Sequence, residues 1–201
     1  MYLSKIELDL RKASVRQALR DCQDMHRNVM KFFHTDRASA GVLYRLNQSR
    51  RGVAVYVQSE AEPRESQGTI HDGMTLSGCR DISRMVKSIE AGNTYVFNLL
   101  ACPSKKVCGT GEKNNKRRFL TRAEDQIEWL SEKGRQGGFA LAQATAESGQ
   151  TASSQKGNGF RFASVRFRGI LKVTDAEAFK ATLAKGIGPE KAYGMGLLFI
   201  R

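Results

Sequence analysis

The chain has 201 residues, enough for one large domain or two of about 100 residues each. Apolar residues make up 40%, sufficient for real cores, and no apolar run approaches the roughly 20 residues of a membrane span. The formal net charge of +13 points to a polyanionic partner, RNA or DNA or an acidic membrane surface, and the three prolines argue against a disordered tail.

The opening MYLSKIELDL lacks an apolar h-region, so neither a signal peptide nor a membrane anchor is expected. Tyr2 to Asp9 reads as a strand. From Ser14 to Phe33, apolar residues at Val15, Ala18, Leu19, Cys22, Met25, Val29, Phe32 and Phe33 recur at three-four spacing, which predicts one amphipathic helix facing a sheet. Val42–Leu46 and Val53–Gln58 predict two short strands around the polar turn NQSRRG. A weaker helix over Asp81–Ile89 stops at Gly92, and TYVFNLLA at Thr94–Ala101 predicts a further strand. The order then repeats. AEDQIEWLSE at Ala123–Glu132 predicts a helix capped by Thr121, with Glu124 three residues on. Phe139–Ala146 and Phe160–Val173 predict strands, Thr174 caps a helix through Ala184, and Tyr193–Ile200 is the closing strand. The first strand of this second half falls around Arg118–Leu120. The fold class is therefore α+β, two tandem ferredoxin-like βαββαβ domains over residues 1–102 and 103–201, with a boundary near Cys102–Pro103.

Two segments interrupt this order. Residues 105–118, KKVCGTGEKNNKRR, carry six basic residues and one Glu, and residues 148–159, SGQTASSQKGNG, contain mostly small polar residues. Both read as loops whose order depends on a bound ligand. A solvated surface loop usually mixes charge signs, whereas Lys105, Lys106, Lys113, Lys116, Arg117 and Arg118 are nearly of one sign. Cys22, Cys79, Cys102 and Cys108 are scattered without a C-x-x-C, so neither a zinc site nor a disulfide framework is expected, and a reducing cytoplasm is the simplest setting. No constellation of carboxylates suggests a metal, and no cofactor is expected.

In GIGPEKAYGMGLLFIR, Gly186, Gly188, Gly194 and Gly196 permit close backbone approach, and their N–H groups can hold phosphate oxygens between Lys185 and Lys191. A glycine-rich connection with strand kinks explains the same residues equally well. FRFASVRF at Phe160–Phe167 places Arg161 among aromatics, as in strands that stack RNA bases, although core packing of Phe160 and Phe162 is the more economical reading. His26 lies on the flank of the first helix's apolar stripe, beside Arg27 and near Arg20 and Lys31. A lone helical histidine is more often structural, yet cationic neighbours lower its pKa, which suits a proton shuttle beside phosphate. His34 and His71, the latter in the expected loop HDGMTLSG, lack supporting context.

MYLSKIEL, the helix carrying His26, AEDQIEWL, VRFRGILKV followed by TDAEAF, and above all GIGPEKAYGMGLL resemble, from end to end, the CRISPR repeat-processing endoribonucleases of type I-E systems, the CasE (Cse-type) subunits of Cascade. The resemblance implies tandem ferredoxin-like domains and metal-independent cleavage at the base of a repeat RNA stem-loop. It further implies 2′,3′-cyclic phosphate and 5′-hydroxyl products, and an enzyme that stays on its guide RNA with other Cascade subunits. The family's catalytic helix histidine falls on His26, and Lys156 matches loosely its basic residue near the cleavage site. Some relatives carry a tyrosine three residues before the histidine, where this chain has Gln23, which cannot ionise. The competing readings are a non-cutting RNA-binding subunit that protects and presents the guide, and a purely structural Cascade component.

Overall fold

A computed structural model of the protein describes residues 1–50, 52–64, 70–107, 116–157 and 159–201. The first half is built on β1 (Tyr2–Leu8), which runs antiparallel between β3 (Gly52–Ser59) and β5 (Met74–Asp81). The short strands β2 (Leu43–Ser49) and β4 (Ile70–His71) complete a five-stranded sheet in the order β2-β3-β1-β5-β4. Alternation along β1 turns Ser4, Ile6 and Leu8 inward. Ile6 and Leu8 meet Val15, Ala18, Met25, Val29, Phe32 and Phe33 in one core, so the apolar spacing of Ser14–Phe33 is the buried face that it predicts.

That face is carried by two helices and not one. α1 (Ala13–Arg20) and α2 (Cys22–Met30) meet at Asp21, whose backbone is extended at φ −131° and ψ 117°. Aspartate competes with helical hydrogen bonding in a helix interior and favours a cap, and Asp21 caps α2. Because the three-four spacing continues across the break, periodicity alone does not reveal it. HDGMTLSG is likewise a hairpin and not a loop: β4 turns through Asp72 and Gly73 into β5.

The second half is a four-stranded antiparallel sheet in the order β11-β6-β10-β9, formed by β6 (Thr94–Ala101), β9 (Phe139–Ser154), β10 (Phe160–Val173) and β11 (Leu198–Ile200). With α4 (Ala123–Gln136) and α5 (Ala176–Lys185) it completes a βαββαβ unit. Phe97, Leu99, Trp129, Leu130, Phe167, Phe179 and Leu183 fill its core. β6 is thus the first strand of the second sheet and not the last of the first; the fourth position of the first sheet belongs to β5. An expected boundary at Cys102–Pro103 would separate β6 from β10 and β11, its hydrogen-bonded neighbours. The helix expected over Asp81–Ile89 is the short α3 (Ser83–Lys87), between the two sheets.

Other boundaries move for local reasons. Asp175, not Thr174, caps α5, accepting from Ala178 N–H, and Arg122 precedes α4 without a side-chain cap bond. β9 runs on through Ser148–Ser154, pairing with β10 across a bulge at Ala163–Val165. Small polar residues therefore form one arm of a long hairpin, not a loop. The closing strand is only Leu198–Ile200, preceded by a 3₁₀ turn at Lys191–Tyr193. β7 (Ser104–Val107) pairs antiparallel with β8 (Lys116–Phe119), so the ends of the basic segment are a hairpin, while the stretch with Cys108 and Lys113 lies outside the described residues.

Specific bonds join the halves. Buried Gln58 donates to Leu183 C=O at 2.6 Å, and Arg45 donates to Asn98 Oδ1 at 2.8 Å. The Arg45 guanidinium lies 4.4 Å over the Phe199 ring. At Gly186, φ is +69° and a Cβ would fall 2.8 Å from Leu43 Cδ1, so the glycine-rich tail is needed for close approach between halves.

Candidate active site

The site begins with Asp21, 5% exposed. One carboxylate oxygen accepts from the N–H groups of Gln23 at 2.9 Å and Asp24 at 3.3 Å, starting α2. The other accepts from Ser154 Oγ–H at 2.9 Å and Gln155 N–H at 3.2 Å, at the end of β9. Burial pushes the carboxyl pKa up, but these hydrogen bonds together outweigh it and hold the group below the usual carboxylate range. One side chain thus starts the helix that carries His26 and fixes the hairpin that carries Lys156.

Ser154 Oγ also accepts from Lys156 N–H at 3.2 Å. Lys156 then reaches back to α2, where its ammonium bonds Asp24 Oδ1, and Arg27 bonds the same oxygen. The hydrogen bond from Lys156 is the first cause of a lowered Asp24 pKa, opposed by desolvation and reinforced by Arg27 and Gln17. Lys156, distant in sequence, thus meets Arg27 at one aspartate on the helix that carries His26.

His26, the fifth residue of α2, sits in that helix's second turn and is partly buried. Its ring lies 6.5 Å from that of Tyr44, nearly parallel, and 6.5 Å from that of Tyr193, edge-on at 77°. Nδ1 is buried with no hydrogen-bond partner among the described residues. Burial first, then the charge of Arg37, lowers the imidazole pKa, so the neutral form is favoured. The direction agrees with the expected cationic neighbourhood, but desolvation leads and the charge comes from Arg37, on a different segment. Tyr44 is 1% exposed and donates to Ala192 C=O at 2.9 Å, pinning the 3₁₀ turn that presents Tyr193. Of the two phenylalanines expected in the core, Phe162 is partly buried and packs against buried Leu100, Cys102 and Met195, while Phe160 is partly buried outside the core clusters; the two rings stack on each other at 6.0 Å and pack on Tyr193 at 5.0 and 5.9 Å. Across the bulge, Val165 and Phe167 stay in the core of the second half. Arg161 is exposed between the two phenylalanines.

A separate open cleft of about 920 Å³ lies between α4, α5 and the β7–β8 hairpin, and Lys105, Arg117, Lys133, Lys185, Gly186, Gly188 and Lys191 are among its lining residues. Partial burial and then Arg37, Lys133 and Lys185 lower the Lys191 pKa. The charge of Arg37 contributes to the lowering at both Lys191 and His26, after burial in each case. Arg118 is exposed opposite Lys105 in the hairpin register, where Lys106 stands opposite Arg117 and Lys116 opposite Val107. Gly194 and Gly196 are buried outside the cleft; Gly196 N–H donates to Leu100 C=O at 2.7 Å and its own C=O accepts from Ile187 N–H. Asp21, Asp24, Arg37, Tyr44, Lys133, Ser154 and Tyr193 escape sequence reasoning. Only Asp21 leaves a local signal, a cap residue inside an apolar period. Among the described residues, no three or more His, Cys, Asp and Glu side chains are grouped to share a metal ion.

Two ferredoxin-like units, with a histidine held between tyrosines where they meet, define a tandem ferredoxin-like protein. The chain belongs to the CRISPR associated protein family, whose model matches residues 1–201. It is 27% identical over 219 aligned positions to the CRISPR-associated endoribonuclease Cse3 of Thermus thermophilus, covering 100% of this chain and 99% of that one. A solved structure of CRISPR endoribonuclease Cse3 bound to a 19-nucleotide RNA is similar at a TM-score of 0.86 and 26% identity, over 100% of both chains. A chain of a CRISPR RNA-guided surveillance complex shares the fold at a TM-score of 0.74 and 22% identity, over 100% of this chain and 99% of that one. No described helix is long and apolar enough to cross a membrane.

Proposed function

We propose that the protein is an endoribonuclease that binds the stem-loop of a CRISPR repeat RNA and cleaves it without a metal, through the RNA's own 2′-hydroxyl. The observation that carries this reading is His26, partly buried and biased to its neutral form, with Lys156 brought to its helix through Asp24. Likeness to an RNA-bound endoribonuclease over the whole chain supports the same reading.

Neutral His26 accepts the proton of the 2′-hydroxyl as its oxygen attacks the adjacent phosphorus. The 2′-oxygen–phosphorus bond forms, the bond to the 5′-oxygen breaks, and the leaving oxygen takes up a proton. The products are a 2′,3′-cyclic phosphate and a 5′-hydroxyl. Lys156 and Arg27 supply positive charge against the pentacoordinate phosphate, which competes with Asp24 for them. The cleft lined by Lys105, Arg117, Lys133 and Lys191 takes the phosphate backbone. After cutting, the protein stays on its guide RNA with the other Cascade subunits, in the cytoplasm.

The test is incubation of purified protein with its own repeat RNA in excess EDTA. The wild type cuts, and His26→Ala cuts about a hundred- to ten-thousand-fold more slowly while RNA affinity is retained. Deoxyribose at the scissile position blocks cutting. RNA that is bound tightly yet stays uncut by the wild type would instead establish a guide-protecting subunit without catalysis.

A further inference from the structure

The reaction above leaves open which group protonates the departing 5′-oxygen. In an in-line displacement the entering and leaving oxygens lie on opposite sides of phosphorus, so His26, once it has received the 2′-hydroxyl proton, is not placed to serve both. Lys156 is already committed to charge and to Asp24. Two phenols have rings in contact range of His26, Tyr44 and Tyr193, both at 6.5 Å. Tyr44 is 1% exposed and its hydroxyl is bonded to Ala192 C=O, which removes it from contact with RNA.

We infer that Tyr193 is a second catalytic residue, donating its phenolic proton to the leaving 5′-oxygen while His26 accepts the proton of the attacking 2′-hydroxyl. The inference rests on the 2′-hydroxyl mechanism proposed above. Its geometry is that of two partly exposed rings, edge to face, with centroids 6.5 Å apart, a separation over which a single phosphate can lie against both. Tyr193 is also held in place. Its N–H donates to Glu190 C=O at 3.0 Å, closing the turn, and the preceding residue is pinned by Tyr44. Gly194 follows at φ +86°, where a Cβ would lie 3.3 Å from the Tyr44 ring. Phe160 supports the ring at 5.0 Å. The glycine-rich tail is in this light a mount for a phenol.

Partial burial first, then Cys22, Glu190 and Asp21, raise the Tyr193 pKa, so the hydroxyl keeps its proton at neutral pH and is available as a donor. The step is balanced: the phosphorus–5′-oxygen bond breaks, that oxygen gains the tyrosine proton, and the phenolate is reprotonated by water. The imidazolium of His26 returns its proton to solvent.

The experiment compares wild type and Tyr193→Phe on repeat RNA and on the same RNA with sulfur replacing the scissile 5′-oxygen, a leaving group that departs without protonation. Tyr193→Phe keeps the ring and its packing on Phe160. On ordinary RNA it is expected to cut about a hundred-fold or more slowly with affinity unchanged, and on the sulfur-substituted RNA it is expected to match the wild type. Near-normal cutting of ordinary RNA by Tyr193→Phe would show that only the ring matters and would overturn the assignment. An equal loss on both substrates would also overturn it, reducing Tyr193 to a positioning residue. A wild type that cuts RNA carrying 2′-deoxyribose at the scissile position would overturn the underlying mechanism itself, a failure separable from that of Tyr193.

Discussion

Asp21 and Ser154 stand 133 positions apart, and the serine hydroxyl donates to the aspartate at 2.9 Å between residues 5% and 1% exposed. Through that bond the helix bearing His26 and the hairpin bearing Lys156 share one anchor. Asp21→Ala removes a helix cap and leaves Ser154 and the Gln155 N–H without their acceptor. We expect a loss of about 1–3 kcal/mol in urea unfolding. Cleavage should fall with it even though His26 and Lys156 are untouched. Asp21→Asn, which keeps one acceptor oxygen, should lose less in both measurements; equal effects would mean that the charge, and not the acceptor geometry, holds the two elements.

The pH dependence follows from His26. Its folded pKa lies below the ordinary imidazole value, from burial first and Arg37 second. Between the folded value and about 6.5 the unfolded chain therefore binds more protons than the native one. The His26 contribution is complete above about pH 6.5 and is lost as pH falls through the folded pKa. Urea midpoints of wild type and His26→Asn, compared from about pH 7.5 downwards, should diverge in slope only below about 6.5. Under the proposed mechanism, in which the neutral ring is the acceptor, cleavage should rise with pH through the same lowered pKa and then level off. A rate that continues to rise well above neutrality would place a different base at the attacking hydroxyl.

The cleft makes a salt prediction. Replacing Lys105, Arg117 and Lys133 together by Ala removes three of its cations. If each contacts a phosphate, the slope of log affinity against log salt should flatten by roughly 0.7–0.9 per contact. Cleavage of bound RNA at saturating protein should change little, since none of the three adjoins His26. An unchanged slope would leave the cleft a solvated surface.

Much of the architecture was legible because burial imposes a period on sequence. The stripe from Val15 to Phe33, the strand TYVFNLLA and the helix AEDQIEWL each declare a face, and each forms. His26 and the family resemblance were legible too, the first as a residue type and the second in the glycine-rich tail. Sheet membership was not. Thr94–Ala101 has the same alternation whichever sheet it joins, and only its bonds to β10 and β11 decide that it opens the second unit. The break at Asp21 was hidden because a capped restart preserved the three-four spacing, and Ser148–Ser154 read as a loop because a strand held by backbone pairing needs no apolar side chains. The surroundings of His26 were invisible for a related reason: Arg37, Tyr44 and Tyr193 come from other segments, and no local spacing encodes a contact closed by the chain's return. The sequence by itself determined the faces, the charge and the histidine. Only the tertiary structure decided which tyrosines and which arginine surround it, because desolvation, ring contact and charge depend on distance in space and not along the chain.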